Sequence, residues 1–253
     1  MKLLRDTWLI FVRNAVATLR EPVWAFVSLF QPICFLVLFA PLLSGLEGAP
    51  GFPPGNALDV FTPGLLVLLA LYGAAFVGFG LFPELREGMI ERLRVTPVSR
   101  LSLLLGRALR DVVVLLVQAL LLVAVTWPFG LRVDPAGLAL VLGLLALLGL
   151  VMASCSYALA LALGSEDALA PTLNTVAIPM TLLSGIYLPL ALAPDWLQTV
   201  AKANPLAYAV DAARALMGGY LASPDALRGF VVLAPLALLA LWWAARSFRR
   251  AVS

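Results

Sequence analysis

The chemistry this chain can perform is concentrated in one charged stretch, Pro83-Glu84-Leu85-Arg86-Glu87-Gly88-Met89-Ile90-Glu91-Arg92-Leu93-Arg94-Val95-Thr96-Pro97. Leu85, Met89 and Leu93 recur at four-residue spacing, while Glu84, Glu87, Glu91, Arg92 and Arg94 occupy the rest of the helical circumference, and a proline closes each end. Such a helix suits docking, because a narrow apolar ridge can seat in a cleft while mixed charges set its register. A solvated connecting helix carries the same pattern. The flanks favour docking: the segment sits between two stretches apolar enough to cross a bilayer, so a partner touching it would move both.

Most other chemistry is excluded by what is missing. The chain has no histidine, which removes histidine-dependent triads, zinc-protease motifs and histidine proton relays. Its two lysines, Lys2 and Lys202, do not follow glycine in a phosphate loop, so no nucleotide-binding loop is expected. Cys34 and Cys155 both lie in apolar runs and read as small buried hydrophobes, not as metal ligands, nucleophiles or a disulfide. No acidic residue stands deep in an apolar run, where an ion-coupled carrier would place one. Asp111, four residues after Arg107, reads as an interfacial ion pair. Uphill transport by this chain would need energy from another subunit.

Composition places these residues in lipid. Hydrophobic residues make up 62% of the chain and charged residues only 12%, far too apolar for a water-facing surface. The net charge of +3, without basic residues interleaved with aromatics, argues against nucleic acid as a partner. A bilayer core of about 30 Å needs about 20 apolar helical residues, and runs at 23–44, 60–82, 102–127, 136–163, 169–192 and 228–246 meet that need. Pro22 marks the start of the first, since proline is tolerated where the helix lacks an amide partner. The stretch before it is peppered with Lys2, Arg5, Asp6, Arg13 and Arg20, unlike a cleaved signal, and is expected to stay in the mature protein. Its polar residues share a stripe with Leu3, Leu4, Trp8, Phe11, Val16 and Leu19 around them, the pattern of an amphipathic helix in the interface plane. Such a helix serves either as a lipid anchor or as a second contact for a cytoplasmic partner.

An even span count puts both termini on one side. That side then holds every basic residue of the 17 except Arg132, Lys202, Arg214 and Arg228, and the positive-inside rule makes it cytoplasmic. On the outer side, residues 193–227 are too polar to span and too apolar for a free loop. Asn204-Pro205 divides them into two short helices, the second ending at Gly218-Gly219, and both are expected to half-enter the outer leaflet against protein.

Two further groups are candidates for a ligand surface. The second span carries Phe61, Tyr72, Phe76 and Phe79 near one stripe, and the fifth offers Asn174, Thr181 and Ser184. Aromatic stripes also serve helix packing, and such hydroxyls and amides also bond to neighbouring helices or their own backbone.

Taken together, the amphipathic N-terminus, the segment from Glu84 to Arg100, the fifth span running through Leu183-Ser184-Gly185-Ile186-Tyr187-Leu188-Pro189, and Asn204-Pro205-Leu206 resemble the type-2 ABC exporter permeases, especially the daunorubicin/doxorubicin-resistance group. The resemblance covers essentially the whole chain. It implies an all-α integral membrane fold of the type V, G-subfamily-like kind: a connecting helix at 1–22, then a six-span permease domain at 23–253 with a coupling helix at 83–97 and re-entrant external helices at 193–227. It further implies that Glu84, Arg86, Glu87, Met89, Glu91, Arg92 and Arg94 contact the ATPase. Phe61, Tyr72, Phe76, Phe79, Asn174, Thr181 and Ser184 would line the substrate pathway, and Asn204, Pro205 and Tyr208 would belong to the external gate. The implied assembly is two permeases, expected as a homodimer, with two separate ABC ATPase subunits that bind ATP and Mg. It would sit in a bacterial cytoplasmic membrane and export a small amphipathic compound. The alternative is a non-transporting scaffold or sensor that holds a cytoplasmic partner.

Overall fold

The computed structural model describes residues 2–20, 23–45, 56–86 and 99–251, and all the regular structure among them is helical. In chain order the helices are α1 (Lys2–Arg20), α2 (Val23–Ser44), α3 (Ala57–Ala75), α4 (Leu81–Arg86), α5 (Arg100–Thr126), α6 (Pro135–Leu163), α7 (Glu166–Leu182), α8 (Asp195–Ala201), α9 (Pro205–Met217) and α10 (Pro224–Ala251). Among the described residues four stretches are long and apolar enough to cross a membrane: Ala57–Pro83, Leu101–Phe129, Pro135–Leu163 and Pro224–Arg250. Of the remaining expected spans, α2 carries two internal prolines and α7 is 17 residues long.

The expected run at 169–192 is interrupted. Its helix stops at Leu182, and Leu183–Gly185 turn before a short 3-10 segment at Leu190–Leu192. Ser184 causes part of this: its hydroxyl donates to the Thr181 carbonyl (2.6 Å) and accepts the Ile186 amide (3.2 Å), a local alternative to the helical ladder. Gly185 follows with φ of 76°, a conformation that costs glycine nothing.

The bundle is built around α3. Every residue from Val60 to Leu71 is buried, sheathed by α2, α5, α6 and α9. A helix apolar on all sides must be covered by protein or lipid, and here protein does it. Lipid tails are as apolar as leucine, so close van der Waals contact holds such helices together. Gly64 shows the principle: a Cβ there would lie 2.6 Å from the Ile186 carbonyl oxygen, so α3 touches backbone to backbone the segment after α7. The second axis is α6, which packs on α10, α3, α5 and α9. Its start is set by Asp134, whose carboxylate accepts the Gly137 amide at 2.7 Å ahead of Pro135, and its end by Gly164 with φ of 63°.

Buried side chains divide into an outer core on α3, α5, α6 and α9, and an inner core formed by Leu81, Phe82, Leu104, Tyr157, Leu169, Ala244 and Phe248. Helix α1 lies against α5 with its mixed stripe, Thr7 and Ile10 approaching Gly106 so closely that a Cβ would meet Ile10 at 2.7 Å. Leu4, Trp8, Leu9, Val16 and Leu19 are left facing outward. An apolar outer face on a basic helix fits the interface plane of a membrane.

Candidate functional site: a stitched helix break and an arginine clasp

The first site begins where α3 breaks. In a continuous helix the Ala75 carbonyl would accept the Phe79 amide, but that amide bonds instead to Phe76 (3.1 Å), opening a 3-10 turn at Val77–Gly80. The Ser156 hydroxyl, from α6, closes the gap: it donates to the Ala75 carbonyl and accepts the Gly78 amide at 2.9 Å. Gly78 permits the approach, since a Cβ there would meet the Ser156 carbonyl oxygen at 2.6 Å. Beyond the break, α4 carries Leu81 and Phe82 into the inner core and ends on Arg86. Arg86 pairs with Glu166, in the first turn of α7, at 2.6 Å. Glu166 sits in the first turn of α7, where the helix dipole favours a negative charge. Beside this pair lies a cavity of about 430 Å³ lined by Phe82, Leu85, Arg86 and residues 164–167.

Glu84 belongs to α4, directly before that pair. Glu87, Met89, Glu91, Arg92 and Arg94 lie outside the described residues, immediately after it.

The aromatic candidates fall into two groups. Tyr72, Phe76 and Phe79 form a half-buried ladder with centroids 6.3 and 6.1 Å apart, continued by buried Phe82. Phe61 is separate and fully buried, stacked on Phe39 at 5.8 Å in a cluster that includes Phe35 and Tyr187. On α7, Asn174 is half-buried beside exposed Thr175 and Val176. Thr181 is buried with its hydroxyl on the Ala177 carbonyl (2.7 Å), and Ser184 is buried in the turn described above.

The second site is a clasp. Asn204 caps α9 by accepting the Leu206 amide (3.0 Å), and its amide nitrogen donates to the Met180 carbonyl (2.6 Å), tying the α8–α9 joint to the end of α7. Pro205 takes the first helical position, where its missing amide costs nothing. The Tyr208 hydroxyl donates to the Lys202 carbonyl at 2.8 Å. Deeper in, Arg214 donates from Nε to the Val60 carbonyl (3.0 Å) and from Nη2 to the Gly185 carbonyl (2.7 Å), with Asp211 at 3.9 Å. Burial brings its guanidinium down to about 10, so it is still a cation at neutral pH.

Sequence reasoning passed over Arg214 and Ser156. A buried arginine three residues after an aspartate, in an alanine-rich helix, was a signal available for the first. Nothing local marks the second, whose partners lie 78 and 81 residues away. Asp111 is part of an ion pair, as expected, and is buried inside the bundle. It accepts the Tyr157 hydroxyl and pairs with Arg110 at 3.1 Å, while Arg107 is buried close by. Among the described residues no group of side chains could hold a metal ion.

The sequence model of the ABC-2 type transporter family matches residues 5–217. The daunorubicin resistance ABC transporter permease protein DrrB1 of Streptomyces coeruleorubidus is 26% identical over 209 residues, 82% of this chain and 73% of that protein. A protein of Mycobacterium tuberculosis with the designation doxorubicin resistance ABC transporter permease protein DrrC is 27% identical over 200 residues, 78% of this chain and 71% of that one. The ycf38 protein of Cyanophora paradoxa, designated a transport permease, is 26% identical over 215 residues, 84% and 74% of the two chains. With four long apolar helices packed around one another and a family match that spans most of its length, the chain belongs to the ABC-2 type transporter family and is a multi-pass membrane subunit of a transporter.

Proposed function

We propose that this permease exports a hydrophobic or amphipathic compound by ATP-driven alternating access. A separate ABC ATPase, present in two copies, supplies the energy and binds ATP and Mg, and a second copy of the permease completes the pathway in a bacterial cytoplasmic membrane. The observation that carries this reading is the direct path of the chain from α3 to the charged segment. The most enclosed helix of the bundle runs through the Ser156-stitched break into α4 and on to the charged segment at 83–97. A partner gripping that segment pulls on the centre of the molecule.

In this reading α2 and α7 complete six spans, and α1 is the connecting helix. The segment 193–227 is re-entrant, with Asn204, Pro205 and Tyr208 at its gate. Tyr72, Phe76, Phe79 and Asn174 offer the ligand surface, being partly exposed, while Phe61, Thr181 and Ser184 shape it from behind. The resistance named in the DrrB1 and DrrC relatives supports an anthracycline as a first compound to test.

The test is reconstitution with its ATPase in inverted vesicles. ATP-dependent daunorubicin uptake, and hydrolysis that responds to the permease, are expected. A complex that binds the ATPase without changing hydrolysis or moving any of a panel of amphipathic compounds would leave only a scaffold.

A further inference from the structure

We propose that Arg86 and Glu166 form a tie that makes α7 follow α4, with the Ser156-stitched break as its fulcrum. The idea rests on the coupling reading above and names positioning residues for it. One end of α4 is a joint: the helical ladder is interrupted at Phe76–Gly80, and one hydroxyl from α6 fills both vacated positions. The other end is held to the first turn of α7 by a 2.6 Å ion pair. Beside the pair, the cavity of about 430 Å³ borders α4 at Phe82, Leu85 and Arg86.

Helix α7 is placed to respond. Leu169 and Leu173 join the inner core beside Leu81 and Phe82, whereas Val176, Ile178 and Leu182 are uncovered, so one face of the helix is held and the other is free. Asn174 lies on this helix, eight residues along from Glu166. A displacement of the charged segment therefore tilts α4 about Ser156, and the ion pair carries the tilt to α7. Exposed pairs contribute little stability, so with side-chain exposures of 69% and 34% the loss of this one should be read in the movement of α7 and not in unfolding.

The experiment uses the permease–ATPase complex with Cys34 and Cys155 replaced by alanine and Val176→Cys on the uncovered face of α7. The readout is the rate of labelling by N-ethylmaleimide with and without ATP, in Arg86→Glu, Glu166→Arg and the double swap. The parent and the double swap are expected to change rate about fivefold or more with ATP, as coupled sites do. Each single reversal is expected to change less than about twofold, like-charge contact having replaced attraction. Rescue by the swap excludes simple misfolding, because both substitutions are present. Single variants that retain the ATP response, a double swap that does not regain it, or a parent without it overturn the tie. Copurification separates the two ideas. If the parent holds no ATPase, the coupling reading falls with the tie; if it holds ATPase and the swap fails, only the tie falls.

Discussion

At the scale of single residues, buried polar groups divide into those with partners and those without, and the two behave oppositely on deletion. Ser156 serves two backbone groups, so Ser156→Ala leaves a buried carbonyl and amide unpaired and is expected to cost about 1–3 kcal/mol. Ser154, two residues earlier on the same helix and equally buried, has a hydroxyl with no hydrogen-bond partner among the described residues, so Ser154→Ala should be neutral or slightly stabilising. Thermal unfolding of the two variants in detergent checks the contrast. The aromatics divide likewise. Phe61→Ala removes a fully buried ring and should cost about 3–5 kcal/mol. Phe76→Ala and Asn174→Ala should instead change preference among dissimilar compounds in an assembled complex. Loss of all compounds in proportion to folded protein would make Phe76 and Asn174 packing groups. The identities of these residues could be read from the sequence, but their division could not. A stripe of Phe61, Tyr72, Phe76 and Phe79 is one helical face on paper, and only the arrival of Phe39 and Tyr187 separates its ends.

At the scale of elements, the boundaries written in local chemistry were legible and those written by distant partners were not. The Asn204-Pro205 joint and the Gly218-Gly219 stop follow from capping rules, and α8 and α9 flank them. The end of α3 depends on a serine on α6, and Gly78 and Gly80 by themselves suggest only close packing. The end of α7 at Leu182 falls within an apolar run that continues to Leu192, so hydropathy passes over it. Holding that end in place is the work of the Arg214 fork, which joins α9, α3 and the turn after α7. Arg214→Lys keeps the charge but loses the planar fork that serves two carbonyls. It is expected to lower the midpoint of thermal unfolding and to raise protease sensitivity at 183–189, whereas Lys202→Arg, on the exposed turn, should do neither. Limited proteolysis with peptide mapping reads this directly.

At the scale of the whole molecule, the asymmetry of basic residues and the apolar runs carried most of the reading. Composition placed the chain in lipid, and the long apolar helices are present. The count of six spans with both termini inside yields a direct prediction. In a cysteine-free background, a cysteine at residue 250 should resist an impermeant maleimide added to intact cells, while one at residue 196, on the exposed start of α8, should react. Labelling of residue 250 from outside would defeat the topology. What sequence could not reveal was how the molecule is centred. The enclosure of α3 on every side depends on which neighbours arrive, and its own composition would suit a lipid-facing helix equally well.

The Arg214 fork also sets a timetable for biogenesis. The carbonyls of Val60 and Gly185 are made 154 and 29 residues before residue 214, so the ends of α3 and α7 are synthesised before their shared donor exists. Chains emerge N-terminus first at about 5–20 residues per second, which leaves that junction unsealed for seconds during every round of synthesis. Quality-control proteases acting on nascent chains should therefore find their opening at the turn after α7, and the delivery of α9 is the event that closes it.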